Sequence, residues 1–147
     1  MSNLPHAFGF RDLIAYQKAK QLEREIFQRT RAFPKDEMFS LTDQVRRSSR
    51  AIGANIAEAW AKRRYEKHFL SKLTDADGEQ QETQHWIGTA LDCGYLTQEQ
   101  SNPIIAKYEE IGRILGGMMA KAESFCGEPK VLRESSVEYF VNATTAD

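Results

Sequence analysis

The sequence predicts an all-α protein, an antiparallel up-down bundle of four helices. Three observations carry this. Small and apolar residues recur at alternating steps of three and four through four separate segments, the spacing that lines one face of a bundle helix. Helix-ending and helix-starting residues punctuate most of the intervals between those segments. The chain of 147 residues, 41% hydrophobic and 28% charged, has the size of one ordinary domain with a core of its own.

The first segment places Tyr16, Ala19, Leu22, Ile26 and Thr30 on one face of a helix expected over 11–31, and Phe33-Pro34-Lys35 ends it. Ser40, with Asp43 three residues on, has the form of a cap for a second helix over 40–63. Its inward positions are Leu41, Val45, Ser48, Ile52, Asn55 and Ala59. A third helix, over 65–93, follows Phe69, Leu73, Ala76, Gln80, Thr83, Ile87 and Ala90, and Cys93-Gly94 closes it. Thr97 and Gln100 form a capping-box pattern for a fourth helix over 98–125, lined by Ile104, Tyr108, Ile111, Leu115, Met118, Ala122 and Phe125. Pro103 admits a later start for this helix, with Asn102 as its cap.

The second and third segments have no Gly or Pro between them, and their register runs on through Lys62 and Glu66. One continuous helix therefore competes with a turn near Arg63 to Tyr65. Charges at the seam positions favour the turn, as does the rarity of helices beyond ~25 residues in compact domains. The bundle is expected to occupy residues 1–126. Residues 127–147 lose the seam, turn acidic and read as a mobile tail. Asn142 opens a glycosylation triplet in that tail, but with no secretory pattern at the N-terminus it reads as idle. The cytoplasm is the expected location, because no apolar run approaches the ~18 residues of a membrane span. Cys93 and Cys126 lack companions at ligand spacing, so neither a disulfide framework nor zinc is expected.

The formal charge of -1 conceals a division. Residues 1–72 hold 15 Lys and Arg against 8 Asp and Glu, a net +7, and residues 73–147 hold 5 against 13, a net -8. Such a split suits a polyanion at the basic end, head-to-tail contact between copies, or solubility alone. The stretch from Val45 to Lys72 is the most basic, with eight basic residues against only Glu58 and Glu66. At about 100° per residue, Arg46, Arg50 and Arg64 fall on the side of helix two opposite its seam, with Ala54, Ala57 and Ala61, and Arg47 lies nearby. A back that is both basic and small suits either a subunit contact through those alanines or a plain solvent face.

Ser48, Asn55, Gln80 and Thr83 put polar side chains at seam positions, where they are costly unless bonded to one another. A shared network setting the pairing and register of helices two and three is the expectation. Gly112, Gly116 and Gly117 cluster in helix four, consistent with close packing or with a helix that yields. Chemistry finds little support. Glu82 and His85 form one Glu-x-x-His pair where di-iron bundles use two, and both point away from the seam. His6 and His68 have no nucleophile to activate, and no Gly-rich phosphate loop is present. No catalytic residue, metal or cofactor is expected.

"FRDLIAYQKAKQL" from Phe10, "FPKDEMFSLTDQVRRSS" from Phe33, "NIAEAW" from Asn55 and "ETQHWIGTALDCGYL" from Glu82 resemble the four-helix bundle proteins encoded in intervening sequences of bacterial 23S ribosomal RNA genes. Ala51-Ile52-Gly53 stands where the commonest form of that family has Ser-Ile-Pro, and Ala59 where it has the Gly of Asn-Ile-Ala-Glu-Gly, as in a subgroup. The resemblance implies a four-helix bundle assembled as a ring of five subunits. It extends to the accessory protein of diversity-generating retroelements, a similar bundle that binds nucleic acid and a reverse transcriptase. With the basic stretch, it makes non-enzymatic binding of nucleic acid the expected function, RNA before DNA, through Arg46, Arg47, Arg50, Lys62, Arg63, Arg64 and Lys67. No base-reading motif accompanies them. The alternative is a protein-interaction scaffold or adaptor in which the acidic second half and the tail do the binding; separately, these arginines could line subunit contacts instead.

Overall fold

The computed structural model describes residues 7–127. Among the described residues there are five α-helices, two single 3-10 turns and no strand: α1 Ile14–Thr30, α2 Leu41–Ala61, α3 Glu66–Asp92, α4 Gln98–Ala120 and the one-turn α5 Ala122–Phe125. Each long helix packs on its neighbours in chain order, and α1 also meets α4, so the four enclose one core. The tail expected from residue 128 onward, with Asn142, and His6 lie outside the described residues.

The seam of α3 is buried at all seven of its positions, from Phe69 to Ala90. In α4 and α5 the positions from Ile104 to Phe125 are buried likewise. Tyr16 and Asn55 are the exceptions in α1 and α2, both half-buried, while Ala15 and Ile56 take core places beside them. Each fully buried large apolar side chain contributes about 1.5–3 kcal/mol, so this stripe rather than helix propensity holds the helices together. Tyr108 is wholly buried. Its hydroxyl has no partner among the described residues, and burial first, then Glu25 and Glu23, pushes its pKa up.

The helix ends show which local signals act. At the end of α3, Gly94 takes φ +80, Tyr95 N donates to Ala90 O at 2.9 Å and Gly94 N donates to Leu91 O at 3.0 Å. This is a Schellman cap, which needs a residue that tolerates the left-handed region. Thr97 and Gln100 close a capping box around the start of α4, with Gln100 N to Thr97 Oγ1 at 3.1 Å and Thr97 N to Gln100 Oε1 at 2.9 Å. Asn102 is therefore inside α4 and caps nothing. Pro103 sits in its second turn, where its missing N–H deprives the carbonyl of the exposed Glu99 of its helical bond.

Ser40 stands at the N-terminus of α2 but does not cap it with its side chain. Its hydroxyl donates to Glu37 Oε1 at 2.7 Å, and that same carboxylate oxygen accepts Leu41 N at 3.3 Å. Glu37 Oε2 accepts the hydroxyl of Tyr95 at 2.8 Å. One carboxylate thus caps α2 and ties the loop before it to the turn after α3, an arrangement invisible to a cap rule that looks only downstream of Ser40. The other boundary changes are local. Asp12 Oδ2 accepts Phe8 N and Gly9 N at 2.8 and 3.1 Å, which delays α1 to Ile14. The chain leaves the helix at Lys121 before α5, whose Phe125 stacks on Phe69 at 5.6 Å.

Between α2 and α3 the chain turns over Lys62–Tyr65, without Gly or Pro. The N–H of Lys62 is shared among the carbonyls of Glu58, Ala59 and Trp60, and Tyr65 N donates to Lys62 O at 3.1 Å. Arg63 donates from Nη1 to Trp60 O at 2.8 Å with its guanidinium 3.8 Å from the Trp60 ring centroid, so a cation closes the carbonyl end of α2.

Of the α4 glycines, close packing is confined to Gly112. A Cβ there would lie 2.8 Å from Gln80 Nε2 and 3.4 Å from Asp77 Oδ1, whereas at Gly116 and Gly117 it would meet nothing within 4 Å. Gly117→Ala is accordingly expected to raise stability by about 0.5–1 kcal/mol and Gly112→Ala to give no gain, read from urea midpoints of the two variants. The bonds to Ser40 and Tyr95, in that order, hold the Glu37 carboxyl below its ordinary pKa of 4.5. A depressed folded pKa stabilises the fold above the unfolded value, and that contribution disappears as pH falls through the folded one. Glu37→Gln should therefore lower the melting temperature at neutral pH, with the gap to wild type closing as pH drops below 4.5.

Candidate nucleic-acid interface

The seven basic candidates separate into two physical groups. Arg47, Arg50, Lys62, Arg64 and Lys67 are exposed. Arg46 and Arg63 are half-buried and engaged within the fold. Arg46 does not face away from the bundle: its Nε donates to Thr30 Oγ1 at 2.8 Å and its guanidinium lies 4.8 Å from the Phe27 ring centroid, both on α1. Helical angle alone placed it on the far side of α2, but a side chain of this length reaches across to the neighbouring helix. Arg63 serves the turn already described. Burial lowers the pKa of both, joined for Arg46 by the charges of Arg50 and Arg31. Both remain cations, since arginine stays protonated well above neutral pH.

Among the described residues, Arg46, Arg47, Arg50, Lys62, Arg63 and Lys67 form no ion pair. Glu58, one of the two carboxylates in this stretch, is taken by Lys72 Nζ at 2.9 Å, and Lys72 also reaches Asp75 at 3.4 Å. The hydrogen bond and charge of Lys72 lower the pKa of Glu58, so this carboxylate stays ionised while leaving the α2 arginines uncompensated. Ala54 and Ala61 are exposed and Ala57 half-buried, a shallow strip along the open side of α2.

The expected polar network divides. Ser48 and Thr83 are buried with their hydroxyl oxygens 2.8 Å apart, joining α2 to α3. Gln80 instead bonds along α3, donating from Nε2 to Asp77 Oδ1 at 2.9 Å and accepting Gln84 Nε2 at 2.7 Å, under the gap that Gly112 leaves. Asn55 takes no part in either group: its Nδ2 donates to Ala51 O of its own helix at 2.9 Å. Only the hydroxyl pair crosses between helices, because Ser48 and Thr83 alone are short enough to meet where α2 and α3 approach. Glu82 accepts Trp86 Nε1 at 3.0 Å and His85 lies exposed against the Trp86 ring.

Phe27 and Arg31 escaped the sequence reading. Phe27 follows Ile26 outside the α1 seam, and Arg31 is four residues on, the spacing that sets a cation over an aromatic on one helix face. An aromatic residue off the seam with an arginine at that spacing was the available signal.

Thr83→Val or Ser48→Ala alone removes the bond between helices, while the remaining hydroxyl keeps Val45 O or Glu79 O of its own helix, and should cost about 0.5–1.5 kcal/mol in urea denaturation. The double variant should cost clearly less than the two singles together, the coupling that a double-mutant cycle reads directly.

A family model described as 23S rRNA-intervening sequence protein matches residues 11–117, the stretch from the start of the bundle through most of α4. Among solved structures, the chain is similar to the crystal structure of a protein of unknown function from the S23 ribosomal protein family of Bacteroides thetaiotaomicron. That similarity has 27% identity and a TM-score of 0.66, and covers 74% of this chain and 96% of the other. No curated protein matches the chain.

Proposed function

The chain belongs to the 23S rRNA-intervening sequence protein family, and from that premise we propose a non-enzymatic accessory protein that binds nucleic acid, RNA foremost, through a basic surface repeated in a homo-pentamer. The observation that carries this reading is the uncompensated charge along α2 and the turn after it. Arg47, Arg50, Lys62 and Lys67 are exposed, and no carboxylate pairs with them among the described residues. Fixed cations of this kind are favoured when they displace counterions condensed on a polyphosphate.

Within the subunit, an antiparallel up-down course is supported by contacts at both ends. Tyr95 meets Glu37 at one, and at the other Gly127 N donates to Arg63 O at 3.0 Å while Phe125 stacks on Phe69. The pentamer is supported by family membership and by the small, open strip of Ala54, Ala57 and Ala61, which allows a neighbouring helix to approach closely. Cyclic symmetry would set five copies of the basic stretch around one axis and multiply a weak contact into a useful affinity.

RNA binding should be weakly sequence-selective and should fall steeply between about 50 and 200 mM salt. Changing Arg47, Lys62 and Lys67 together to Gln is expected to flatten the salt slope by about 2–3 while leaving the assembled mass unchanged. Those three residues make the cleaner test, because Arg46 and Arg63 also hold the fold. Absence of binding by wild-type protein at low salt would refute the reading. A light-scattering mass of one 16.8 kDa chain would refute the ring.

A further inference from the structure

Phe27 lies on α1 outside its buried seam and is 38% exposed. Three guanidinium groups surround its ring, that of Arg46 at 4.8 Å from the centroid and those of Arg31 and Arg50 at 5.9 Å. Arg46 is aimed by the buried Thr30, whose hydroxyl accepts a hydrogen bond from its Nε and donates one to Ile26 O at 2.8 Å. That bond uses one edge of the guanidinium and leaves the two terminal nitrogens of Arg46 outside it. The carbonyl end of α1 and the face of the ring offset part of the mutual repulsion of three cations. Neither is a counter-charge, and among the described residues no carboxylate forms an ion pair with Arg31, Arg46 or Arg50.

A converging set of guanidinium forks without an acid partner matches the planar oxygens of a phosphodiester, which arginine engages through paired N–H donors. The exposed part of the aromatic ring narrows the ligand further. A base within a duplex keeps its faces stacked on its neighbours, whereas an unpaired base offers a π-face to an aromatic or guanidinium plane. We propose that Phe27, Arg31, Arg46 and Arg50 form a subsite for single-stranded RNA, in which the arginines hold a phosphodiester and Phe27 takes the adjoining unpaired base. This rests on the nucleic-acid reading above and deepens it: it extends the surface onto α1 and specifies unpaired strands. It also accounts for the turning of the half-buried Arg46 toward α1, beside the exposed Arg31 and Arg50, which the α2 surface alone leaves unexplained.

The test uses the full chain, fluorescence anisotropy, an unstructured RNA oligonucleotide and a hairpin RNA of equal length. Phe27→Leu keeps the apolar bulk on α1 and should weaken binding of the unstructured RNA about tenfold, with less than about a twofold change for the hairpin stem. Phe27→Trp should restore it. Arg31→Gln with Arg50→Gln should reduce the salt slope on the unstructured RNA by about 1–2. Wild-type binding that Phe27→Leu leaves unchanged on both RNAs would overturn the subsite and leave the broader surface standing. Failure of wild type to bind either RNA would overturn both. If the arginine pair instead lowers the mass of the assembly while Phe27→Leu still binds like wild type, the cluster belongs to a contact between copies and the proposal is wrong.

Discussion

The turn at Lys62–Tyr65 is the constraint on which the rest of the molecule depends. A single seven-residue register runs through α2 and α3, and without this turn the two seams would face no common core. With it, Ser48 meets Thr83, and Ala59 and Ala76 are both buried in the shared core. Nothing in the backbone forces the turn, since it contains neither Gly nor Pro. The guanidinium of Arg63 on Trp60 and its bond to the Trp60 carbonyl supply the closure, and the carbonyl of Arg63 then receives Gly127 N from the end of α5. One arginine thus closes the end of α2 and ties it to Gly127, just beyond α5.

The opposite end has an equivalent in Glu37. Its two carboxylate oxygens serve Ser40, Leu41 and Tyr95, so the loop between α1 and α2 is coupled to the turn between α3 and α4. The hydroxyl of Tyr95 is correspondingly reluctant to ionise, its pKa pushed up to about 12, first by that bond. Between these two clamps the helices are held by apolar burial, with contacts between α1 and α4 the least extensive. Side chains there meet through exposed ion pairs, Lys18 with Glu110 at 3.5 Å and Lys107 with Glu25 at 3.8 Å, which contribute little in water.

Charge is therefore divided by task as well as by position. Arg46 and Arg63 are spent on Thr30, Phe27 and Trp60, while Arg47, Lys62 and Lys67 face solvent without a carboxylate partner among the described residues. Lys72 pairs with Glu58 in the last turn of α2, and that carboxylate forms no ion pair with Arg46, Arg47 or Arg50 among the described residues. Exposed cations of this kind are the groups on which the proposed phosphate contacts rest.

The sequence by itself determined the helical class, the buried stripe of α3 and α4 and the Schellman cap at Gly94, and it offered Thr97 beside Asn102 as starts of α4, between which the structure chose Thr97. Each of these is set within one or two helical turns, so spacing and residue type suffice to locate it. Tertiary structure decided what the long and polar side chains do. Arg46 turns to α1, Glu37 displaces Ser40 as the cap of α2, and Asn55 leaves the group it seemed to share with Ser48, Gln80 and Thr83. Gly112 is required by a glutamine on another helix, and the cluster around Phe27 draws on residues from two helices. A helical angle gives the direction in which a side chain leaves the backbone, but the partner waiting at its far end belongs to another element, and only packing brings the two together.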